Sequence, residues 1–290
     1  MEKIHIFIDS VGDIPHEICD KYNIEVIPIY IDINGRTVRE YYDITPQEYN
    51  EIIDKMEGIP TTAQITPSRF MELFKRAKDN GYTHVLGMVM SGQGSGTYQS
   101  ACIAKEMFYD EYGNDMQIEV FDSESYAYIY GRIITEAAQM REAGEDFATI
   151  VAATKNRIRR IEGFLGIYSL KFVKKSGRIS GGAAFIGEAL GLKPFSPVYA
   201  GSVDVCDKGR GSKGLIQKMV ENVIKRVANP ESQTAYILTA ITPEEDLALF
   251  EKLLYEKVGF KHVERVPLGP CITTNGGPRS VAVAFYGNPR

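Results

Sequence analysis

The stretch THVLGMVMSGQGSGTYQSA, residues 83–101, joins an apolar run to a glycine-rich loop and then to a helix-forming segment. The run 83–90 predicts a buried β-strand. Glycines in the loop 91–96 lack a Cβ, so backbone N–H groups can approach a bound group, and the following helix would direct the positive end of its dipole there. This unit predicts an α/β fold with an anion-binding loop at the end of a strand.

The glycine spacing excludes three common catalytic motifs. A dinucleotide fingerprint needs a third glycine where this chain has Thr97, and a mononucleotide P-loop needs a lysine that the loop lacks. The hydrolase elbow G-x-S-x-G also fails, because Gly94 directly precedes Ser95. The loop therefore offers hydrogen-bond donors without a recognisable catalytic group, and we expect no catalytic residue.

Strand-like and helical segments alternate along the chain. The helices include one that Thr66-Pro67 opens and Gly81 closes, and one over 212–228. Asn34-Gly35 and Gly201-Ser202 predict hairpins. The predicted strands are residues 3–9, 24–33, 83–90, 117–122, 163–169, 234–240 and 281–286.

This alternation predicts a two-domain α/β protein. We expect an N-terminal domain, residues 1–160, with a mainly parallel sheet flanked by helices. We expect a C-terminal domain, residues 161–290, with a mixed sheet that completes a ligand pocket. The division falls after the charged helical segment 155–163, where a new strand pattern begins.

Composition restricts the partners and the location. A net charge of -5 argues against broad nucleic-acid binding, which needs many lysine and arginine contacts with phosphates. No signal peptide or membrane-spanning run is readable, so we expect a cytoplasmic protein that is not integral to a membrane. The four cysteines lie far apart and form no C-x-x-C pair, so the sequence predicts no metal site, cofactor or disulfide framework.

Short polar residues cluster where predicted strands end, which is where open α/β sheets bind ligands. In the N-terminal half these are Asp9-Ser10, the segment PTTAQITP at 60–67, the loop 91–97 and Asp122-Ser123. Each aspartate has an alternative role as a cap of a turn or helix.

The second half adds two arginines in glycine-rich segments, Arg178 and Arg210, whose guanidinium groups suit carboxylates, phosphates or acidic partners. Solvated surface loops are the alternative for both. If the protein were instead an enzyme or phosphotransferase acting on a small anionic substrate, these arginines, with Asp9 and Asp122, would bind phosphate or take part in catalysis.

Taken together, the motifs resemble those of the DegV family, bacterial lipid-binding proteins that carry a fatty acid. No single motif is specific, but their order and spacing extend along nearly the whole chain. The matching stretches are IDSVGDIP at 8–15, PTTAQITP at 60–67, SGQGSGTYQSA at 91–101, FDSES at 121–125, LKFVKKSGRIS at 170–180, LGLKPFSPV at 190–198, KGRGSKG at 208–214 and LGPCITTNGGP at 268–278.

The resemblance implies a non-catalytic, two-domain α/β protein that buries the acyl chain of a long-chain fatty acid. The N-terminal domain would carry the head-group loops, and the C-terminal domain would complete the acyl-chain pocket. The resemblance also implies that Thr62, Ser95 and the backbone N–H of Gly96 hold the carboxylate. Characterised members present that carboxylate to an ATP-dependent fatty acid kinase for phospholipid synthesis. The resemblance further implies that Arg178 and Arg210 lie in the head-group surroundings or contact the kinase.

This sequence departs from the family pattern near its C-terminus. Members commonly carry H-T-G-P-G, whereas this chain has N-G-G-P-R, which places Asn275 and Arg279 at the first and last positions. An asparagine amide donates a hydrogen bond but cannot become a cation. We therefore expect Asn275 among the lipid-binding residues, with altered head-group chemistry.

Overall fold

The structure, a computed structural model, describes residues 2–178 and 191–289. In these ranges the strands are β1 (Ile4–Asp9), β2 (Ile24–Ile27), β3 (Tyr30–Ile33), β4 (Arg36–Arg39), β5 (Thr61–Ala63), β6 (His84–Val89), β7 (Gln117–Asp122), β8 (Ile161–Ile167), β9 (Leu192–Tyr199), β10 (Ser202–Val203), β11 (Asp207–Arg210), β12 (Thr234–Thr239), β13 (His262–Pro267) and β14 (Ser280–Tyr286). The helices are α1 (His16–Lys21), α2 (Pro46–Lys55), α3 (Pro67–Asp79), α4 (Thr97–Tyr112), α5 (Tyr128–Glu142), α6 (Phe147–Ile158), α7 (Leu170–Ser176), α8 (Gly211–Arg226), α9 (Glu244–Leu253) and α10 (Pro270–Gly276).

The N-terminal half is built on a parallel sheet with the strand order β2-β1-β6-β7. Every residue of β1 and β6 is buried, as expected for central strands of a sheet covered by helices. Helices α3 and α4 pack against each other, as do α5 and α6. A small antiparallel sheet, β4-β3-β5, lies beside this unit and carries Thr62 on its edge strand β5.

The C-terminal half contains a mixed sheet with the order β10-β9-β8-β14-β12-β13, and β11 pairs with β9. Strands β12 and β13 are parallel, whereas β14 runs antiparallel to both β12 and β8. The predicted fold class, a parallel sheet followed by a mixed sheet with flanking helices, is confirmed. The domain division between residues 160 and 161 stays a prediction; β8 begins at Ile161.

The predicted strand over 24–33 is wrong as a single element. Strand β2 ends at Ile27 and pairs with β1, whereas β3 starts at Tyr30 and pairs with β4 and β5 in another sheet. Pro28 lies between them and has no N–H to donate to a ladder. The chain therefore leaves the parallel sheet at this proline, which the apolar pattern alone did not indicate.

Both predicted hairpins are present. Asn34 and Gly35 have φ of 53° and 84°, and they join β3 to the antiparallel β4. The second turn lies one residue earlier than predicted, because Ala200 and Gly201 are the pair with positive φ between β9 and β10. The positive φ values match the twist that two-residue hairpins require.

One apolar core joins the two halves. Buried side chains of β1, β6 and α5 belong to the same cluster as Val198 of β9 and Ala282 of β14. A second cluster fills the space between the mixed sheet and helices α8 and α9.

In the described part of the chain, no helix combines the length and apolar character needed to cross a bilayer. The cysteine thiols are free.

Candidate functional site

The loop 91–96 follows β6 and leads directly into α4, as the sequence predicted. Two of its glycines are in places where a side chain would not fit. A Cβ on Gly94 would lie 2.6 Å from the Tyr126 hydroxyl, and one on Gly96 would overlap the Gln64 side chain. The bare loop therefore allows the segments around residues 64 and 126 to pack directly on its backbone.

Ser95 is held by a chain of hydrogen bonds at the start of α4. The Ser95 Oγ accepts from the Thr97 N–H at 3.2 Å and lies 2.9 Å from the Thr97 Oγ1. That Oγ1 in turn accepts from the Ile65 N–H at 3.3 Å. With the Thr97 hydroxyl donating to Ser95, the Ser95 proton remains available for a ligand.

Two further donors accompany Ser95. The Gly96 N–H donates no hydrogen bond within residues 2–178 and 191–289, and it lies at the N-terminus of a 16-residue helix. Thr62, on β5, is half-buried, and its hydroxyl has no hydrogen-bond partner in the same ranges. A helix N-terminus with free N–H groups favours an anion. These groups can therefore hold a carboxylate.

Thr62, Ser95 and Gly96 line a cavity of about 430 Å³ together with Arg178 and Asn275. Its remaining wall is mainly aliphatic and comes from both halves of the chain. These aliphatic residues are Ile29, Met90, Ile129, Leu165, Val198, Val203, Leu268, Ile272 and Ala282. The volume lies within the range of small-molecule sites, and an aliphatic wall suits a hydrocarbon. Among the described residues, this mainly aliphatic lining differs from the polar cleft that a small anionic substrate would favour.

The three other predicted residues differ in their positions. Asn275 lies on α10, and its Nδ2 donates to the Cys271 carbonyl at 2.9 Å, which leaves one amide N–H for the cavity. Arg178 is exposed at the cavity and donates to the Ser176 carbonyl at 2.8 Å. Arg210 is exposed at the end of β11 and does not line the cavity.

The two aspartates considered for catalysis hold loop backbone instead. Asp9 is fully buried, accepts from the Met90 N–H at 2.8 Å and from the Tyr130 hydroxyl, and burial raises its pKa to about 6. Asp122 accepts from the Gly92 N–H at 3.1 Å and the Glu124 N–H at 2.8 Å. Asp122 thereby caps its own turn, as the alternative from sequence proposed. The Asp9 side chain does not cap the turn that follows it and instead joins the end of β1 to Met90, just after β6.

Sequence reasoning missed Thr97, Tyr126 and the residues of the aliphatic wall. Thr97 is fully buried and orients Ser95, and Tyr126 donates from its hydroxyl to the Gly201 carbonyl at 2.8 Å, linking the two halves. The motif SGTYQSA contains Thr97, so its spacing from Ser95 was the one available signal. The wall residues resemble ordinary core positions in sequence.

Comparisons with known proteins identify the family of the chain. The family model described as "Uncharacterised protein, DegV family" matches residues 3–288. A DegV domain-containing protein from Clostridium acetobutylicum is 32% identical over 98% of this chain and 99% of its own length.

Two solved structures have a similar fold. One, from Thermus thermophilus, is described as showing fatty acid binding of a DegV family protein; it is 26% identical, with a TM-score of 0.87 over 98% of this chain and 99% of that chain. The other, a fatty acid binding DegV family protein from Streptococcus agalactiae, is 26% identical, with a TM-score of 0.86 over 99% and 100% of the two chains. The match over residues 3–288 and these relatives show that the chain belongs to the DegV family.

Proposed function

We propose that this protein binds a long-chain fatty acid without catalysing a reaction. One observation carries the proposal: an aliphatic cavity of about 430 Å³ has hydroxyl and N–H donors among its lining residues. The fatty acid binding described for the Thermus thermophilus and Streptococcus agalactiae relatives supports it. Binding requires no nucleophile or base, which agrees with a loop whose polar groups are donors.

The carboxylate would accept hydrogen bonds from Ser95 Oγ–H, Gly96 N–H and Thr62 Oγ1–H. The positive end of the α4 dipole adds a favourable field at the same place. Asn275 would contribute its free amide N–H, and Arg178 its positive charge at the cavity. This arrangement would distinguish an ionised acid from an ester or alcohol of the same length.

The acyl tail supplies most of the affinity in this proposal. Burying roughly 14 methylenes at about 0.8 kcal/mol each gives on the order of 11 kcal/mol before the costs of ordering. A charge-assisted hydrogen bond to the head group contributes about 1.5 to 3 kcal/mol. The donors would therefore determine mainly which end of the ligand faces the loop.

We extend the proposal to a transfer partner on the basis of the family resemblance. A cytoplasmic, ATP-dependent fatty acid kinase would receive the carboxylate and form an acyl phosphate for phospholipid synthesis. Arg178 lies at the cavity and Arg210 is exposed away from it, so the first suits the head group and the second suits a docking surface.

The test combines extraction with reloading. Purified protein is denatured, its organic extract is analysed by mass spectrometry, and delipidated protein is then titrated with hexadecanoic acid by calorimetry. We expect a stoichiometric acyl chain in the extract and saturable uptake of the acid. A lipid-free extract together with no uptake would overturn the proposal.

A variant pair tests whether uptake occurs in this cavity. Ala282 is buried on β14 and lines the cavity, so Ala282→Phe would fill space that the tail needs. Ala152 is exposed on α6, so Ala152→Phe adds the same side chain without changing the cavity. Equal uptake by the two variants would place the ligand elsewhere.

A further inference from the structure

A buried carboxylate lies directly behind the cavity wall. Glu40 follows β4 and is 2% exposed. Within residues 2–178 and 191–289 no lysine, arginine or histidine forms an ion pair with it. Burying a carboxylate without an opposite charge beside it is energetically unfavourable, so the hydrogen bonds that Glu40 accepts are important for keeping it buried.

The carboxylate of Glu40 connects two segments of the wall that are far apart in sequence. Its Oε1 accepts from the Cys271 N–H at 2.6 Å, and its Oε2 accepts from the Ser10 hydroxyl at 2.5 Å. The Ser10 Oγ accepts in turn from the Ile29 N–H at 2.9 Å. Cys271 and Ile29 both line the cavity and come from different halves of the chain. One side chain thereby fixes the backbone on two sides of the cavity.

Neighbouring acids hold the adjoining backbone in the same way. Asp9 accepts from the N–H of Met90, which also lines the cavity. Asp13 accepts from the Gly269 N–H at 3.0 Å, immediately before α10. The start of α10 is therefore held by two carboxylates from the N-terminal half.

Resting on the proposed fatty acid binding, we infer that Glu40 is a positioning residue for the acyl cavity: it holds the start of α10 and the Ile29 backbone in the closed arrangement that a ligand contacts. The Ser10 hydroxyl transmits its effect to Ile29. Glu40 itself does not line the cavity, so its influence on binding is indirect.

The protonation of Glu40 gives this role a measurable signature. Burial raises the pKa of Glu40 to about 7, against hydrogen bonds from Ser10 and Cys271 that lower it. If α10 moved away, water would reach the carboxylate and its pKa would return toward the ordinary value. The titratable groups that surround it are Asp9 on β1, Asp13, Tyr49 of α2, Tyr130 of α5 and Cys271 of α10.

The direction of the pH effect on ligand affinity follows from the linkage between protonation of Glu40 and the position of α10. The closed form binds the Glu40 proton more tightly than an open form does, so raising the pH penalises the closed form. A ligand that binds the closed form loses affinity over the same range. Between about pH 6 and about pH 8 the loss is at most about tenfold, and it reaches that value when the free protein is mainly open.

The experiment measures the dissociation constant of hexadecanoic acid methyl ester, which has no titratable group, for wild type and Glu40→Gln at about pH 6 and about pH 8. Glutamine keeps an acceptor for the Cys271 N–H and cannot ionise. We expect wild-type affinity to fall several-fold at the higher pH and the affinity of the variant to fall by less, the remaining fall coming from Asp13, whose pKa burial also raises and which accepts from the Gly269 N–H. Equal pH profiles, or a flat wild-type profile, would overturn the inference.

Two further variants separate positioning from general stability. Glu162 is 1% exposed, is paired with Arg226 at 2.5 Å and does not line the cavity, so Glu162→Gln lowers stability but keeps the wild-type pH profile. Ser10→Ala leaves the charge of Glu40 but frees the Ile29 N–H, so it weakens binding and retains the pH dependence.

These variants also test the inference when Glu40→Gln folds poorly. Loss of the pH dependence in Glu162→Gln, or unchanged affinity in Ser10→Ala, would contradict it. Failure of wild type to take up the free acid would overturn the proposed function itself, whereas uptake of the acid with equal pH profiles for the ester would overturn only the role of Glu40.

Discussion

Replacing Ser95 by alanine tests the assignment of the head-group end most directly. The Ser95 Oγ accepts a hydrogen bond from the Thr97 N–H and contacts the Thr97 hydroxyl, and when that hydroxyl donates to Ser95 the Ser95 proton is available to a ligand. The substitution removes this donor while leaving the Gly96 N–H and the aliphatic wall in place. We therefore expect a loss that depends on the charge of the head group and not on the tail.

The expected magnitude follows from the type of hydrogen bond. A hydroxyl donating to an ionised carboxylate contributes about 1.5 to 3 kcal/mol, which corresponds to about a 10- to 150-fold loss of affinity. An ester carbonyl is a neutral acceptor and would lose about 0.5 to 1.5 kcal/mol. The same variant also leaves the Thr97 N–H without its acceptor, which costs about 1 kcal/mol of folding stability.

Calorimetric titration of wild type and variant with hexadecanoic acid and its methyl ester gives the four affinities needed. Urea unfolding of the ligand-free proteins measures the change in stability separately. Ser68→Ala is the matched control, because Ser68 is exposed near the start of α3 and its hydroxyl is 2.9 Å from that of Thr66. Equal losses for acid and ester, or no loss for either, would refute the assignment of Ser95 to the carboxylate.

Three other outcomes are expected. Ala282→Phe should remove space for about four methylenes and weaken hexadecanoic acid binding by about 3 kcal/mol, while shorter acids lose less in a chain-length series. Gly131→Ala should destabilise the protein by about 3 kcal/mol or more in urea unfolding, because its Cβ would overlap the Gly12 carbonyl; Gly58→Ala, whose Cβ would make only ordinary van der Waals contacts, should change stability little. Because burial raises the pKa of Asp9 to about 6, the folded protein binds its proton more tightly than the unfolded chain, so the contribution of Asp9 to the unfolding free energy should fall by about 3 kcal/mol as pH rises from about 4 to about 6 and should change little above that. Unfolding curves of wild type and Asp9→Asn at several pH values check the last outcome, and parallel pH profiles would contradict it.

The local pattern of apolar and helix-capping residues was sufficient to predict most of the strands and helices. The central strands β1 and β6 are short apolar runs, and Thr66-Pro67 precedes α3 as a helix start should. The pattern failed at Pro28, where two strands of similar composition belong to different sheets. Hydrophobicity records that a segment is buried, but it does not record which sheet the segment joins.

The site was predictable only where its residues share a short motif. Ser95 and Gly96 are adjacent in one loop, and the family resemblance added Thr62 and Asn275. The aliphatic wall combines segments more than a hundred residues apart, so no local spacing indicates it. Glu40 lies in the polar stretch REYYD, which resembles a surface segment, and only tertiary contacts reveal that it is buried.

The shared wall of the cavity has a consequence for the lifetime of the protein. Strands and loops of both halves contact the same space, so an acyl chain lying there would oppose their separation. On the proposed function, mass action would make resistance to heat and proteases increase with the concentration of free fatty acid. A cell short of fatty acid would degrade this protein faster, and its abundance would follow the supply of lipid.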